Sequence, residues 1–268
     1  MSLYIIHKIH GGDGFFAKFN HVLANLRECD NMNLKPYVDF QTKHSNLFDK
    51  TNTETQNEWE YCFIQDLSYD ETLKLERKFC SGHFLEWYPS QGKNFRNKEL
   101  SKEFNYLYNK YVKIKPEVLD KTNNEIQNFR TLAVHCRRSD MSSYHPNIGL
   151  NYSEEIFLEK TLKIYNQGSF EKIYLATEEI DILNYFLNNI GDKIIYQKDC
   201  FRIKKNQSPV HIDDDRKLHR TLQCQEVLID ALNMSKCTSL LCGISGVSNA
   251  TTYINGLKYE NVFYFDEI

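Results

Sequence analysis

The apolar positions of this chain change period several times, and each change marks an element. Tyr4 to Ile9 is a short apolar run that reads as a strand, followed by the turn Gly11-Gly12-Asp13-Gly14. Beyond the turn, Phe15, Phe19, Val22, Leu23 and Leu26 recur at the spacing of one helix face. Tyr37-Val38-Asp39-Phe40 reads as the next strand, so the chain opens as an α/β unit. Residues 41–58 are polar and rich in Asn, Thr and Gln, the pattern of a surface loop. Trp59 to Phe63 turns aromatic, residues 70–80 predict a helix, and residues 92–130 space Phe, Leu, Tyr and Val as surface helices do. The polar stretch Asp120 to Asn128 predicts a boundary between two domains, 1–125 and 126–268.

The second half alternates more regularly. Strands are expected at Leu132 to His135, Ile173 to Ala176, Ile194 to Tyr196, Ser239 to Cys242 and Val262 to Phe265. Helices are expected between them at Ser153 to Ile164, about 180 to 190, Leu218 to Met234 and just after Ser245. Ser153 is the expected N-cap, with Glu154 and Glu155 in the first turn. Apolar strands alternating with helices predict an α/β fold whose parallel sheet is covered on both faces.

Composition narrows the class of function. The chain has 268 residues, 41% hydrophobic and 26% charged, with a net charge of −3. That balance gives no basic field to recruit nucleic acid or an anionic membrane, so an anionic ligand must be held by a local site. No window approaches the roughly 20 apolar residues of a membrane span, and the opening residues lack a signal-peptide core. A soluble, cytoplasmic protein is the expectation. The eight cysteines are scattered without a Cys-x-x-Cys motif, which fits buried thiols. The sequons at Asn233 and Asn249 fall in expected helices, which reads as chance.

Chemistry concentrates at His135-Cys136-Arg137-Arg138-Ser139-Asp140, just after an expected strand. In open α/β sheets, ligands bind beyond the carboxyl ends of the strands. A guanidinium there can grip phosphate oxygens two-pronged and offset the charge that grows on a leaving diphosphate. The alternative is an Arg–Asp ion pair that closes a loop, and for Arg138 and Asp140 a supporting salt bridge stands level with a ligand contact. Asp213-Asp214-Asp215 has the look of a metal-binding acidic motif, but its place in a polar loop before a helix reads as a solvated charge cluster.

The hexapeptide resembles the first motif of the α1,6-fucosyltransferase superfamily, which includes core, rhizobial nodulation and, more remotely, protein O-fucosyltransferases. Ile173 to Glu179, Val227 to Ser235 with Leu241 to Ser245, Gly14 to Val22 and Trp59-Glu60-Tyr61 resemble further family motifs in the same order. The resemblance implies a GT-B-like architecture, two Rossmann-like domains facing a cleft, with GDP-fucose bound mainly by the second. It implies that His135 and Asp230 contact guanine and that Arg137 binds the β-phosphate, helped by Ser245, Gly246 and the turn they form. Gly14 would let the backbone approach the phosphates closely. Glu178 joins the donor site on this reading, although Glu178 and Glu179 equally suit capping of the helix after them. His21 reads as a core histidine.

The chain departs from the vertebrate core fucosyltransferase shortly after Asp140, where that enzyme carries a lysine and then a glutamate important for catalysis. Met141 and His145 stand there instead. An imidazole with a pKa of about 6.5 can act as general base, so Arg137, Asp140 and His145 form the expected catalytic set, with a loop histidine before Pro146 as the alternative for the last. The expected function is inverting, metal-independent transfer from GDP-fucose to an oligosaccharide or glycoconjugate acceptor. Another GDP- or UDP-sugar donor, or a catalytically silent nucleotide- or glycan-binding protein, are the alternatives.

Overall fold

The computed structural model describes residues 2–7, 14–41, 43–79, 97–138, 152–205, 207–208, 212 and 214–268. The chain divides into two compact units, Met1–Lys121 with Asp213–Leu228, and Thr122–Ile212 with Ile229–Ile268.

The first unit is built on a parallel three-stranded sheet. Its central strand β1 (Ser2–His7) lies between β2 (Lys35–Asp39) and a later strand, Glu76–Phe79. β1 carries Leu3 to Ile6, all buried, as a strand with parallel neighbours on both edges requires. Helix α1 (Phe15–Asn31) connects β1 to β2, and its Phe19 packs against Trp59 and Phe63. A two-residue antiparallel ladder joins β3 (Phe63–Ile64) to a short strand at Lys113–Ile114.

Residues 70–80 do not form the expected helix. Ser68 and Glu71 form a capping box on a single turn, α2 (Tyr69–Thr72), and the chain then enters β4 (Glu76–Phe79) beside β1. Backbone pairing with the open edge of β1 prevails over local helix preference, and Leu75 packs on the Leu3–Ile5–Tyr37 cluster. Helix α3 (Lys98–Tyr111), the strand β5 (Lys113–Ile114) and the turn α4 (Pro116–Leu119) complete this part of the chain.

The polar stretch at 120–128 predicts two continuous domains, whereas the first unit also takes in Asp213–Leu228. The cause lies in the polar loop 41–58 and the aromatic turn that follows it. Asp49 Oδ2 accepts from the Thr221 N–H at 2.9 Å, Asn52 donates to Thr221 Oγ1 at 3.1 Å, and Gln225 donates to the Tyr61 carbonyl at 3.0 Å.

The second unit holds a five-stranded parallel sheet in the order β10-β9-β6-β7-β8. The strands are β6 (Thr131–Cys136), β7 (Lys172–Thr177), β8 (Ile194–Ile195), β9 (Ser239–Cys242) and β10 (Val262–Tyr264). Register fixes what each face shows. Leu132, Val134 and Cys136 of β6 share a cluster with Ile173 and Leu175 of β7, under α5 (Glu154–Gln167) and α6 (Ile180–Ile190). The alternate residues Ala133, His135, Tyr174 and Ala176 therefore lie on the opposite face, where Tyr174 meets α7 (His219–Ser235). Helix α8 (Gly246–Asn255) follows β9 and bonds to the end of α7 through Asn255 and the Ser235 carbonyl. The division between the units falls inside α7, at Leu228 and Ile229. Asn233 and Asn249, the two sequon residues, are buried within α7 and α8.

Candidate functional site

β6 is the middle strand of the sheet and is buried along its whole length, so its carboxyl end presents side chains in a fixed direction. His135 is its last residue on the α7 face. It is 7% exposed, and its Nδ1 is buried without a hydrogen-bond partner among the described residues. Burial, reinforced by the charge of Arg137, pushes its pKa down to about 3. The imidazole is therefore neutral at physiological pH and keeps an unspent polar atom.

The register continues past the strand ends. Cys136 pairs with Thr177, which sets Arg137 beside Glu178 and Arg138 beside Glu179. Alternation sends the two pairs to opposite sides. Arg138 is 3% exposed and gives Nε to Glu179 at 2.9 Å, Nη1 to the Tyr152 carbonyl at 3.0 Å and Nη2 to Glu154 at 2.5 Å. The Arg138 hydrogen bond holds the Glu154 carboxyl down at about 2. Arg138 thus makes the internal salt bridges of the supporting reading, to Glu154 and Glu179. Arg137 faces the other way, with its side chain 25% exposed and Nε 3.7 Å from Glu178 Oε1. Glu179 stands at the N-cap position without a capping bond, because its carboxylate serves Arg138.

Asp230 projects from α7 and accepts from the Tyr174 hydroxyl at 2.6 Å. A carboxylate among Val227, Leu228 and Ile229 needs a partner when buried, and a tyrosine inside an apolar strand is the one signal of it in the sequence, since a buried phenol seeks a hydrogen bond. On the other neighbour of β6, β9 delivers the chain to α8. Ser245 caps that helix: its Oγ accepts from the Ser248 N–H at 3.1 Å, and Ser248 Oγ accepts from the Ser245 N–H at 3.0 Å. Gly246 is the first helical residue, so a helix amino terminus sits one strand over from Arg137.

His135, Arg137, Glu178, Asp230, Ser245 and Gly246 all belong to the second unit. Gly14 belongs to the first, as N-cap of α1. Its φ of −70° does not demand glycine, and a Cβ there would meet nothing within 4 Å among the described residues, so open space is what it offers. His21 is a buried helix histidine, bonded to the His7 carbonyl and to Asn25. Asp140 and His145 lie outside the described residues. Asp214 accepts from the Arg216 N–H at 2.8 Å in an exposed bend, and among the described residues no group of three His, Cys, Asp or Glu is placed to hold a metal ion. No described helix is long and apolar enough to cross a membrane.

No protein-family model matches the chain, and no curated protein sequence matches it significantly. Solved structures match it along nearly its whole length. Fucosyltransferase NodZ from Bradyrhizobium has a TM-score of 0.58 at 13% identity, covering 99% of this chain and 96% of that one. NodZ α-1,6-fucosyltransferase soaked with GDP-fucose gives 0.55 at 13% identity, over 95% of this chain and 92% of that one. POFUT1 in complex with GDP gives 0.53 at 12% identity, over 98% of each chain. The resemblance to the α1,6-fucosyltransferase superfamily read from the motifs is thereby matched at the level of fold: the chain has the GT-B-like α/β fold of the NodZ and POFUT1 fucosyltransferases.

Proposed function

We propose that this chain transfers fucose from GDP-fucose to a glycan hydroxyl with inversion at the anomeric carbon. The observation that carries the reading is Arg137, a partly exposed guanidinium at the end of the central strand of a sheet whose fold recurs in structures holding GDP and GDP-fucose. Its neighbours fit the parts of such a donor. Neutral His135 and the carboxylate of Asp230 suit the guanine base, and the α8 amino terminus at Ser245 and Gly246 suits the diphosphate.

In the proposed step the acceptor oxygen bonds to the anomeric carbon from the face opposite GDP. The bond from that carbon to the β-phosphate oxygen breaks, and its electron pair leaves with GDP. Arg137 offsets the charge gathering on that oxygen, and Glu178, 3.7 Å away, orients the guanidinium. The acceptor proton passes to a base, for which His145 is the proposal, with Asp140 completing the catalytic set.

Thermal-shift measurements against GDP, UDP, GDP-fucose and GDP-mannose test the donor. Stabilisation by the guanosine ligands alone supports the reading. Stabilisation by UDP alone points to a different donor, and no response to any nucleotide points to a scaffold without donor chemistry. Arg137→Ala should lower kcat roughly 100- to 1000-fold, as loss of a charge-stabilising donor does elsewhere. Normal transfer by that variant would refute the role.

A further inference from the structure

Tyr174 stands where the strand pattern calls for an apolar residue. It is fully buried in the middle of β7, and its hydroxyl donates to Asp230 Oδ1 at 2.6 Å. The same hydroxyl accepts from Asn233 Nδ2 at 3.0 Å, and Asn233 Oδ1 accepts from the Asn123 N–H at 2.8 Å. Every donor in this chain points one way, from Asn123 through Asn233 and Tyr174 to the Asp230 carboxylate. Bonds aligned in this manner polarise one another. Burial, together with the charge of Asp230, pushes the Tyr174 phenol well above its ordinary range, so it remains the donor.

We infer that Tyr174, backed by Asn233, fixes the Asp230 carboxylate in the orientation that reads the donor's guanine and thereby sets base selectivity. The inference rests on the proposed reading, in which Asp230 meets the base. Guanine offers two adjacent donors, its ring N1–H and its 2-amino group, and a carboxylate held in one rotamer accepts from both. Hypoxanthine keeps the ring N–H and lacks the amino group, so a GDP-to-IDP affinity ratio measures this contact. Asp230 lies on the His135 face of the sheet, since Tyr174 pairs with Ala133, two residues before His135. The role also accounts for Asn233, a buried amide whose only recognisable sequence feature is a sequon.

Tyr174→Phe removes one oxygen and keeps the ring. Calorimetric titration of GDP, IDP and UDP should show GDP affinity falling about tenfold, the scale of one charge-assisted hydrogen bond, with IDP much less affected. The GDP-to-IDP ratio should therefore collapse, and the same change made in an Asp230→Ala background should alter it no further. A purely structural tyrosine would weaken all three ligands alike. A folded Tyr174→Phe protein with the wild-type ratio overturns the inference. If that variant cannot be purified, Asn233→Ala carries the test with the same two outcomes. A wild-type protein that binds UDP as well as GDP instead refutes the reading beneath it, so the two failures are distinguishable.

Discussion

Arg137 and Arg138 are adjacent, identical in chemistry and opposite in fate, because strand alternation outlasts the strand by two residues. Arg138 faces Glu179, and both side chains are buried. Arg138→Ala would strip the buried Glu179 carboxylate of its guanidinium, a loss on the order of 3–5 kcal/mol. Chemical denaturation should show it, and Glu179→Gln in the same chain should recover part. A loss under 1 kcal/mol would mean that the network adds little. His135 carries a second prediction at this scale. Its folded pKa, about 3, lies below the ordinary 6.5, so the unfolded chain takes up the proton first. Its contribution to stability is complete above pH 6.5 and is lost as pH falls towards 3. The expected loss is roughly 2 kcal/mol between pH 7 and pH 5. His135→Asn should lose that portion of the acid sensitivity, while His21, also shifted down by burial, keeps its own. Equal slopes in the two proteins would contradict the shift.

Elements whose apolar residues form a short unbroken run or recur at one period were legible before the structure. The strands of the second unit sit where their apolar runs put them, and Ser153 caps α5 as its position suggests. Legibility fails where a distant partner decides. Residues 70–80 read as a helix, yet the capping box at Ser68 and Glu71 starts only a single turn before the edge of β1 draws the chain into β4. The start of α7 is a second instance. Asp214 and Asp215 precede it, but Asp49 satisfies the Thr221 N–H from 172 positions away. Asp49 also accepts from Thr51 N and Oγ1, and these bonds hold its carboxyl below its usual pKa against the upward pull of burial. Asp49→Ala should cost about 2 kcal/mol by equilibrium unfolding, the upper end for a lost cap. A change within experimental error would show that the helix start does not depend on that loop. Arg137 was readable because a charge after an apolar strand is conspicuous, whereas Tyr174 was not, because its hydroxyl matters only through a helix more than 50 residues later.

At the scale of the molecule, the residues proposed to hold the donor, Gly14 apart, occupy both segments of the second unit, 122–212 and 229–268, and the segment between them belongs to the first unit. A ligand held by β6, α7 and α8 therefore links stretches far apart in sequence, and its protection should follow that pattern. At a GDP concentration 100 times its Kd, stability should rise by about 2.7 kcal/mol. Hydrogen exchange should slow at the end of β6, in the second half of α7 and in the first turn of α8. Both effects should persist in EDTA, because in the proposed reading the guanidinium of Arg137 supplies the positive charge on the diphosphate, and both should weaken in Arg137→Ala. Protection that vanishes with EDTA would assign the diphosphate to a metal ion and make Arg137 secondary. Protection confined to the first unit would move the donor away from β6 altogether.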